Sequence, residues 1–263
     1  MPTFDTPGPI RARIAIVAGS VHVRADDRHD TLVTVRPRNE ASSADVTAAQ
    51  QTEVTFAAGE LLVRSTSRPR LLLFGHGPEI DVDVVLPTGS SLDVRTTAGE
   101  ITCSGRLGAA DLESKHGNLR LDRAGSLRAR TSSGDVSASA IEGEAEVTTA
   151  YGNVRVGEAA GPTRLGTGYG DVTVDRALDS LTGSTKYGQV RVGEAVRGSL
   201  VLETAYGEVE AGVREGTAAW LDVHAGSGRI RNTLTETEGP EGAGETVEIH
   251  ARTSYGDILI RRA

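Results

Sequence analysis

TTAYGNVRVGEA, residues 148–159, contains a phrase, YGNVRV, that returns 18 residues later as YGDVTV (169–174) and again as YGQVRV (187–192). Aligned on the glycine, the same unit is written HGNLRL at 116, SGDVSA at 133 and YGEVEA at 206. Looser copies are AGEITC at 98, SGRIRN at 227 and YGDILI at 255. The glycines are Gly99, Gly117, Gly134, Gly152, Gly170, Gly188, Gly207, Gly228 and Gly256, with successive gaps of 18, 17, 18, 18, 18, 19, 21 and 28 residues. Such self-similarity is the signature of a repeat architecture, with insertions near the end of the array.

Each unit has strand periodicity. After Gly170, Asp171 and Thr173 alternate with Val172 and Val174, a period of two that describes a half-buried strand. A second alternating segment precedes each glycine, as in AEVTTA (145–150) and LVLETA (200–205). Two short strands and two bends cannot bury an apolar face alone, whereas stacked units close a continuous narrow core. The expected fold is therefore all-β: a single-stranded parallel β-solenoid, β-helix-like, with rungs of about 18 residues. Parallel stacking spaces rungs by about 4.8 Å, so eight intervals extend roughly 38 Å. The competing arrangement is an antiparallel sandwich with evenly spaced turns. A sandwich gives no reason to keep one residue type at one register through unit after unit, as the glycine and the following aliphatic residue do here. In the solenoid the glycine takes a sharp bend. The valines fill the interior, and Tyr151, Tyr169, Tyr187 and Tyr206 stack rung on rung, with Tyr255 at the same register beyond the insertions.

Composition agrees with a thin core. Aromatic residues are 3% of the 263, against 38% hydrophobic overall, so Val, Leu, Ile and Ala must supply the interior. The formal charge of −8 and the lack of a basic run exclude an electrostatic nucleic-acid binder. Lys115 and Lys186 are the only lysines, and the Arg, Ala, Gly and Val richness points to a GC-rich bacterial genome. Cys103 is the single cysteine, which excludes a disulfide framework and reads as a small core hydrophobe. The longest apolar run near the start, Ile14 to Ala18, is too short for a signal segment or membrane span. A cytoplasmic location without membrane insertion is the expectation.

Four stretches carry a resemblance to a known family: TFDTPGPIRARIAIVAGSVHVRA (3–25), VTVRPRNEASSADVTAAQQTEV (33–54), ARTSYGDILIRRA (251–263) and the recurring G-[DNE]-[VIL] units. Together they make the chain resemble, along essentially its whole length, a bacterial β-strand-repeat family named putative adhesin, a domain of unknown function. The resemblance implies a β-solenoid-type fold and a non-enzymatic protein, and it carries over no catalytic residues.

Two regions are expected. Residues 1–95 form an N-terminal β region, continuous with the solenoid, with a helix at 42–52 capped by Ser42 or Ser43 and a loop at 65–79 holding Leu71, Leu72, Leu73 and Phe74. That loop is either a tucked cap or an exposed partner patch. Residues 96–263 hold the regular repeats, with an acidic insertion at 234–245 (Glu236, Glu238, Glu241, Glu245). The helix is positioned to cover one solenoid end, while Arg261, Arg262 and the insertion discourage stacking of a second molecule at the other.

The tyrosine ladder is the leading candidate recognition surface. An aromatic strip can stack sugars or bind a peptide; equally, the rings can simply pack on one another, at about 0.5–1.5 kcal/mol per pair. Beside it runs a polar row of Asn118, Asp135, Asn153, Asp171, Gln189, Glu208 and Asp257, with Arg120, Arg155 and Arg191 two residues further on. Carboxylates on a solenoid face are the raw material of a glycoside-cleaving pair. This row alternates acids with amides and singles out no such pair, which fits a solvated sheet face. His22, His29, His76, His116, His224 and His250 lack metal-ligand spacing, and no phosphate-binding glycine loop opens a helix. No cofactor and no metal are expected. The partner is an unidentified protein or glycan, and self-association through the solenoid ends or the 71–74 loop is the alternative.

Overall fold

The computed structural model describes residues 2–65, 77–234 and 244–263. The loop residues Leu71, Leu72, Leu73 and Phe74, His76, and the acidic residues Glu236, Glu238 and Glu241 therefore lie outside the described residues. The chain divides into two compact units, Met1–Ser133 and Gly134–Ala263.

The C-terminal unit begins with β11 (Val136–Ile141), β12 (Ala145–Tyr151), β13 (Val154–Ala159) and β14 (Thr163–Tyr169). It continues through β15 (Val172–Ala177), β16 (Leu181–Tyr187), β17 (Val190–Ala195), β18 (Gly198–Tyr206) and β19 (Val209–Val213). It ends with β20 (Thr217–Ser227), β21 (Ile230–Asn232), β22 (Glu245–Tyr255) and β23 (Ile258–Arg262). These strands pair in parallel. One row runs β12, β14, β16, β18 and the other β11, β13, β15, β17, β19. Register keeps each repeat position above its equivalent: Val154 lies beside Val172, Val172 beside Val190, and Val190 beside Val209.

The alternation read from the sequence is what buries the core. Val154, Val156, Val172, Val174, Val190 and Val192 are at most 1% exposed, while the residues between them face out. Fully burying such a side chain is worth about 1.5–3 kcal/mol, so a slender aliphatic interior accumulates stability rung by rung. The parallel solenoid expected from the repeats is present, and the antiparallel sandwich is excluded.

Order along the stack departs from order along the chain. β22 pairs with β18 on one side and β20 on the other, and β23 sits likewise between β19 and β21. After β19 the chain skips a rung, builds the outermost one (β20–β21), and returns to fill the slot it left. The longer glycine spacings mark this exchange. It also moves Arg261 and Arg262 of β23 one rung inward, so they do not guard the edge as expected.

In the N-terminal unit, β2 (Arg11–Ala18) and β3 (Val21–Asp26) follow the short β1 (Thr3–Asp5). Next come β4 (Asp30–Pro37), α1 (Ser43–Gln51), β5 (Glu53–Ala57) and β6 (Glu60–Arg64). The unit closes with β7 (Ile80–Pro87), β8 (Ser91–Ala98), β9 (Ile101–His116) and β10 (Leu119–Ser133). Parallel pairing again builds rungs, and again the terminal rung is interior: β2 lies between β6 and β8, and β3 between β7 and β9. Antiparallel strands then cover the outer side, β5 on β6, β4 on β7 and β1 on β4. Helix α1 packs against β4 and β7. Ser42 is its N-cap, accepting from the Asp45 N–H, and the buried Asp45 carboxylate accepts from the backbone N–H groups of Asn39 and Glu79.

Candidate recognition surface

The site grows from the glycine bend. Gly188 has φ +146°, and a Cβ there would stand 2.1 Å from the Gly170 carbonyl oxygen. Any side chain would clash with the rung below, so the repeat requires glycine by close approach as well as by backbone conformation. Gly117, Gly134, Gly152, Gly170, Gly207, Gly228 and Gly256 share this left-handed geometry. Gly99 is outside the left-handed range, but its Cβ would meet the Gly19 carbonyl at 1.7 Å.

Immediately before the bend, the five tyrosines form one unbroken column. Centroids of Tyr151 and Tyr169 are 5.0 Å apart, Tyr169 and Tyr187 4.8 Å, Tyr187 and Tyr206 5.0 Å, and Tyr206 and Tyr255 5.0 Å. Interplanar angles of 3–8° make them stacked pairs. Tyr255 joins directly because its rung fills the slot next to Tyr206, and Ser227 takes the following place. Each tyrosine is nonetheless 45–59% exposed. Neighbouring rings cover the faces of Tyr169, Tyr187 and Tyr206, so these three present ring edges to solvent at a repeat of 4.8–5.0 Å. Sugar stacking on ring faces, one mode the sequence allowed, is open to the column's ends alone.

Two hydrogen-bonded ladders support the column. The first was missed by the sequence reading. Thr149, Thr167, Thr185 and Thr204 each donate through Oγ1 to the glycine carbonyl of the preceding rung (Gly134, Gly152, Gly170 and Gly188) at 2.9–3.1 Å. Thr253 does the same to Gly207 at 3.0 Å. The signal was present as a threonine three residues before each of these glycines.

The second ladder uses the polar row. Asp135 Oδ1 accepts from the Asn153 N–H at 2.7 Å, Asn153 Oδ1 from the Asp171 N–H at 2.9 Å, and Asp171 Oδ1 from the Gln189 N–H at 2.8 Å. At the far end Asp257 Oδ1 accepts from the Arg229 N–H, which holds its carboxyl below the usual carboxylate range. Asp135 and Asp171 thus brace the bend.

Arg155 and Arg191 stand on the adjoining sheet face in cross-rung ion pairs, Arg155 with Asp175 at 3.2 Å and Arg191 with Glu210 at 3.3 Å. Arg176 bridges Glu158 and Glu194 at 3.0 and 3.1 Å. At half exposure such pairs contribute about 0–1 kcal/mol each, so their main effect is to balance charge across rungs.

Elsewhere, Cys103 is buried, and burial pushes its thiol up to about 12, consistent with a core role. His250 lies between Asp222 (Nδ1–Oδ2, 3.2 Å) and Glu248 (Nε2–Oε1, 2.9 Å), with Trp220 edge-on at 5.6 Å. The Asp222 hydrogen bond raises its pKa above the ordinary value of 6.5. Among the described residues no group of three or more His, Cys, Asp or Glu could hold a metal ion. None of their helices is long and apolar enough to cross a membrane.

The whole chain aligns with a crystal structure described as a putative adhesin from Bacteroides fragilis NCTC 9343: TM-score 0.50, 13% identity, 98% of this chain and 95% of that one. The chain shares that protein's fold. Two Parabacteroides distasonis ATCC 8503 structures are also similar. One is described as a putative lipid binding protein (TM-score 0.38, 12% identity, 100% of this chain and 95% of that one). The other is described as a putative adhesin (TM-score 0.37, 9% identity, 98% and 95%). No family model and no curated protein matches the sequence.

Proposed function

We propose that the protein is a non-catalytic binding module whose recognition surface is the tyrosine column of the C-terminal unit. The observation that carries this reading is the exposure of five contiguous tyrosines with stacked rings, each residue 45–59% exposed, in a chain with only 3% aromatic residues. Aromatic surface concentrated on one line and left in water is costly to keep unless something covers it. Fold likeness to a protein described as a putative adhesin supports a binding role. A non-catalytic role is supported by the commitment of Asp135 and Asp171 to backbone N–H groups and of Arg155 and Arg191 to ion pairs. The matching partner is a linear one, an extended peptide or an unbranched glycan, that lies along the column and contacts ring edges.

The test replaces Tyr151, Tyr169 and Tyr187 together by Ser and measures binding to a glycan array and to a library of extended peptides, beside thermal melting. Binding that disappears while a cooperative melt remains supports the module. A triple variant that binds as well as wild type, or a wild type silent on both panels, removes the proposal. Turnover of a polysaccharide by the wild type would replace it with an enzymatic reading.

A further inference from the structure

Among the described residues, no strand covers the outermost rung of the C-terminal unit. β20 pairs with β22, and among the described residues no strand lies along its other edge. On β22 the interior positions Val247, Ile249 and Ala251 are at most 2% exposed. Their neighbours Ala219, Leu221 and Val223 on β20 are half-buried, and Ile230 on β21 is 45% exposed. Trp220 on the outer face is 58% exposed. An open, partly apolar edge of 11 residues is a template for further pairing.

We infer that β20 is a homodimer interface, in which two copies join antiparallel along this strand with Val223 facing Val223 of the second copy. The occupant follows from the residues. In this register Leu221 faces Ala225 and Trp220 faces Gly226, a large side chain against a small one on each face. Asp222 faces His224, opposite in charge when the histidine is protonated. Moving the centre to Asp222 sets two carboxylates against each other, which is unfavourable for directly opposed strand residues. Moving it to His224 sets Leu221 against Ser227. Parallel head-to-tail growth would need a matching free edge, but the outer strands of the N-terminal unit are β1 and β5, of 3 and 5 residues. The contact is isologous, so it saturates at two copies.

Light scattering after size exclusion should give twice the chain mass, falling towards monomer on dilution. Val223→Arg places two like charges at the centre and should raise the dimer dissociation constant tenfold or more. Val223→Cys should cross-link under mild oxidation, since opposed antiparallel residues have Cα atoms about 4.5–5.5 Å apart, within disulfide reach. Ala219→Cys should not, because the two copies of residue 219 are offset by eight residues, roughly 26 Å along the strands. The buried Cys103 does not compete. A monomer at every concentration, species larger than a dimer, or equal cross-linking at 219 and 223 would overturn the inference.

Discussion

The threonine ladder offers the sharpest test of what holds the bends together. Thr185 is 7% exposed, and its Oγ1 donates to the Gly170 carbonyl at 2.9 Å. Thr185→Val keeps the branched shape and deletes the donor, leaving a carbonyl in the packed bend without that partner. The bond is part-buried, so orphaning its acceptor costs about 1 kcal/mol or somewhat more, the low end of the range for a buried group. In a chain of this size each kcal/mol lowers the melting temperature by roughly 2–4 °C. Thr185→Ser retains the hydroxyl and loses one methyl group, about 0.8 kcal/mol of burial. The hydrogen bond therefore predicts that Val is the worse substitution, whereas simple apolar packing predicts the reverse. Urea unfolding followed by circular dichroism, with slopes compared to confirm a common transition, measures both. If Thr185→Val is as stable as wild type, or more stable than Thr185→Ser, the threonine ladder contributes nothing and the bends rest on the glycines, the stacked rings and the Asp/Asn ladder.

Gly170→Ala should be far more damaging: φ is +139° and the new Cβ would meet the Gly152 carbonyl at 2.2 Å, so a loss of at least about 3 kcal/mol is expected. Gly8→Ala, with open space around its Cβ, should stay within about 0.5 kcal/mol of wild type; equal effects at the two sites would contradict the close-approach reading. The His250 imidazole proton resonance should titrate above 6.5, and Asp222→Asn should lower that midpoint. Because its folded pKa is raised, His250 stabilises fully below its unfolded value, and the contribution fades as pH rises through the folded one. Asp222 is held below its ordinary 3.8, chiefly by the His250 hydrogen bond, so its share is present above 3.8 and is lost as pH falls through the folded value. A midpoint unchanged by Asp222→Asn would show the pairing to be absent in solution.

The parts of the structure legible in the sequence are those the repeat writes locally. Alternation after Gly170 fixes which side of β15 is buried, and the glycine spacing fixes which residues stack. Helix α1 was announced by Ser42 and Asp45, a side-chain cap that needs no tertiary information. Thr185 was not recognised because its position has interior parity, where a threonine reads as an ordinary strand residue; its partner is a carbonyl 15 residues away, visible only once the rungs are stacked. The polar row reads in the sequence as a solvated face, and Arg155 and Arg191 beside it do stand in exposed ion pairs. Asp135, Asn153 and Asp171, however, spend their oxygens on the next rung's backbone, a role that depends on the stagger at the bend.

Rung order was hidden for a different reason. Every rung carries the same code, so neighbours in space cannot be told from neighbours in sequence by pattern alone. The tyrosines hold the one clue. A ladder residue gains stacking energy only from an adjacent equivalent, so Tyr255 after Ser227 makes little sense in chain order and good sense beside Tyr206. The exchange also has a mechanical consequence. A solenoid that simply started and stopped would place its first and last strands at exposed edges, where fraying begins. Here β2–β3 in one unit and β22–β23 in the other have parallel partners on both sides. The edges left over in the C-terminal unit fall to strands inside the chain, and of these β20, with Trp220 exposed and Leu221 half-buried, is the longest with one edge unpaired among the described residues.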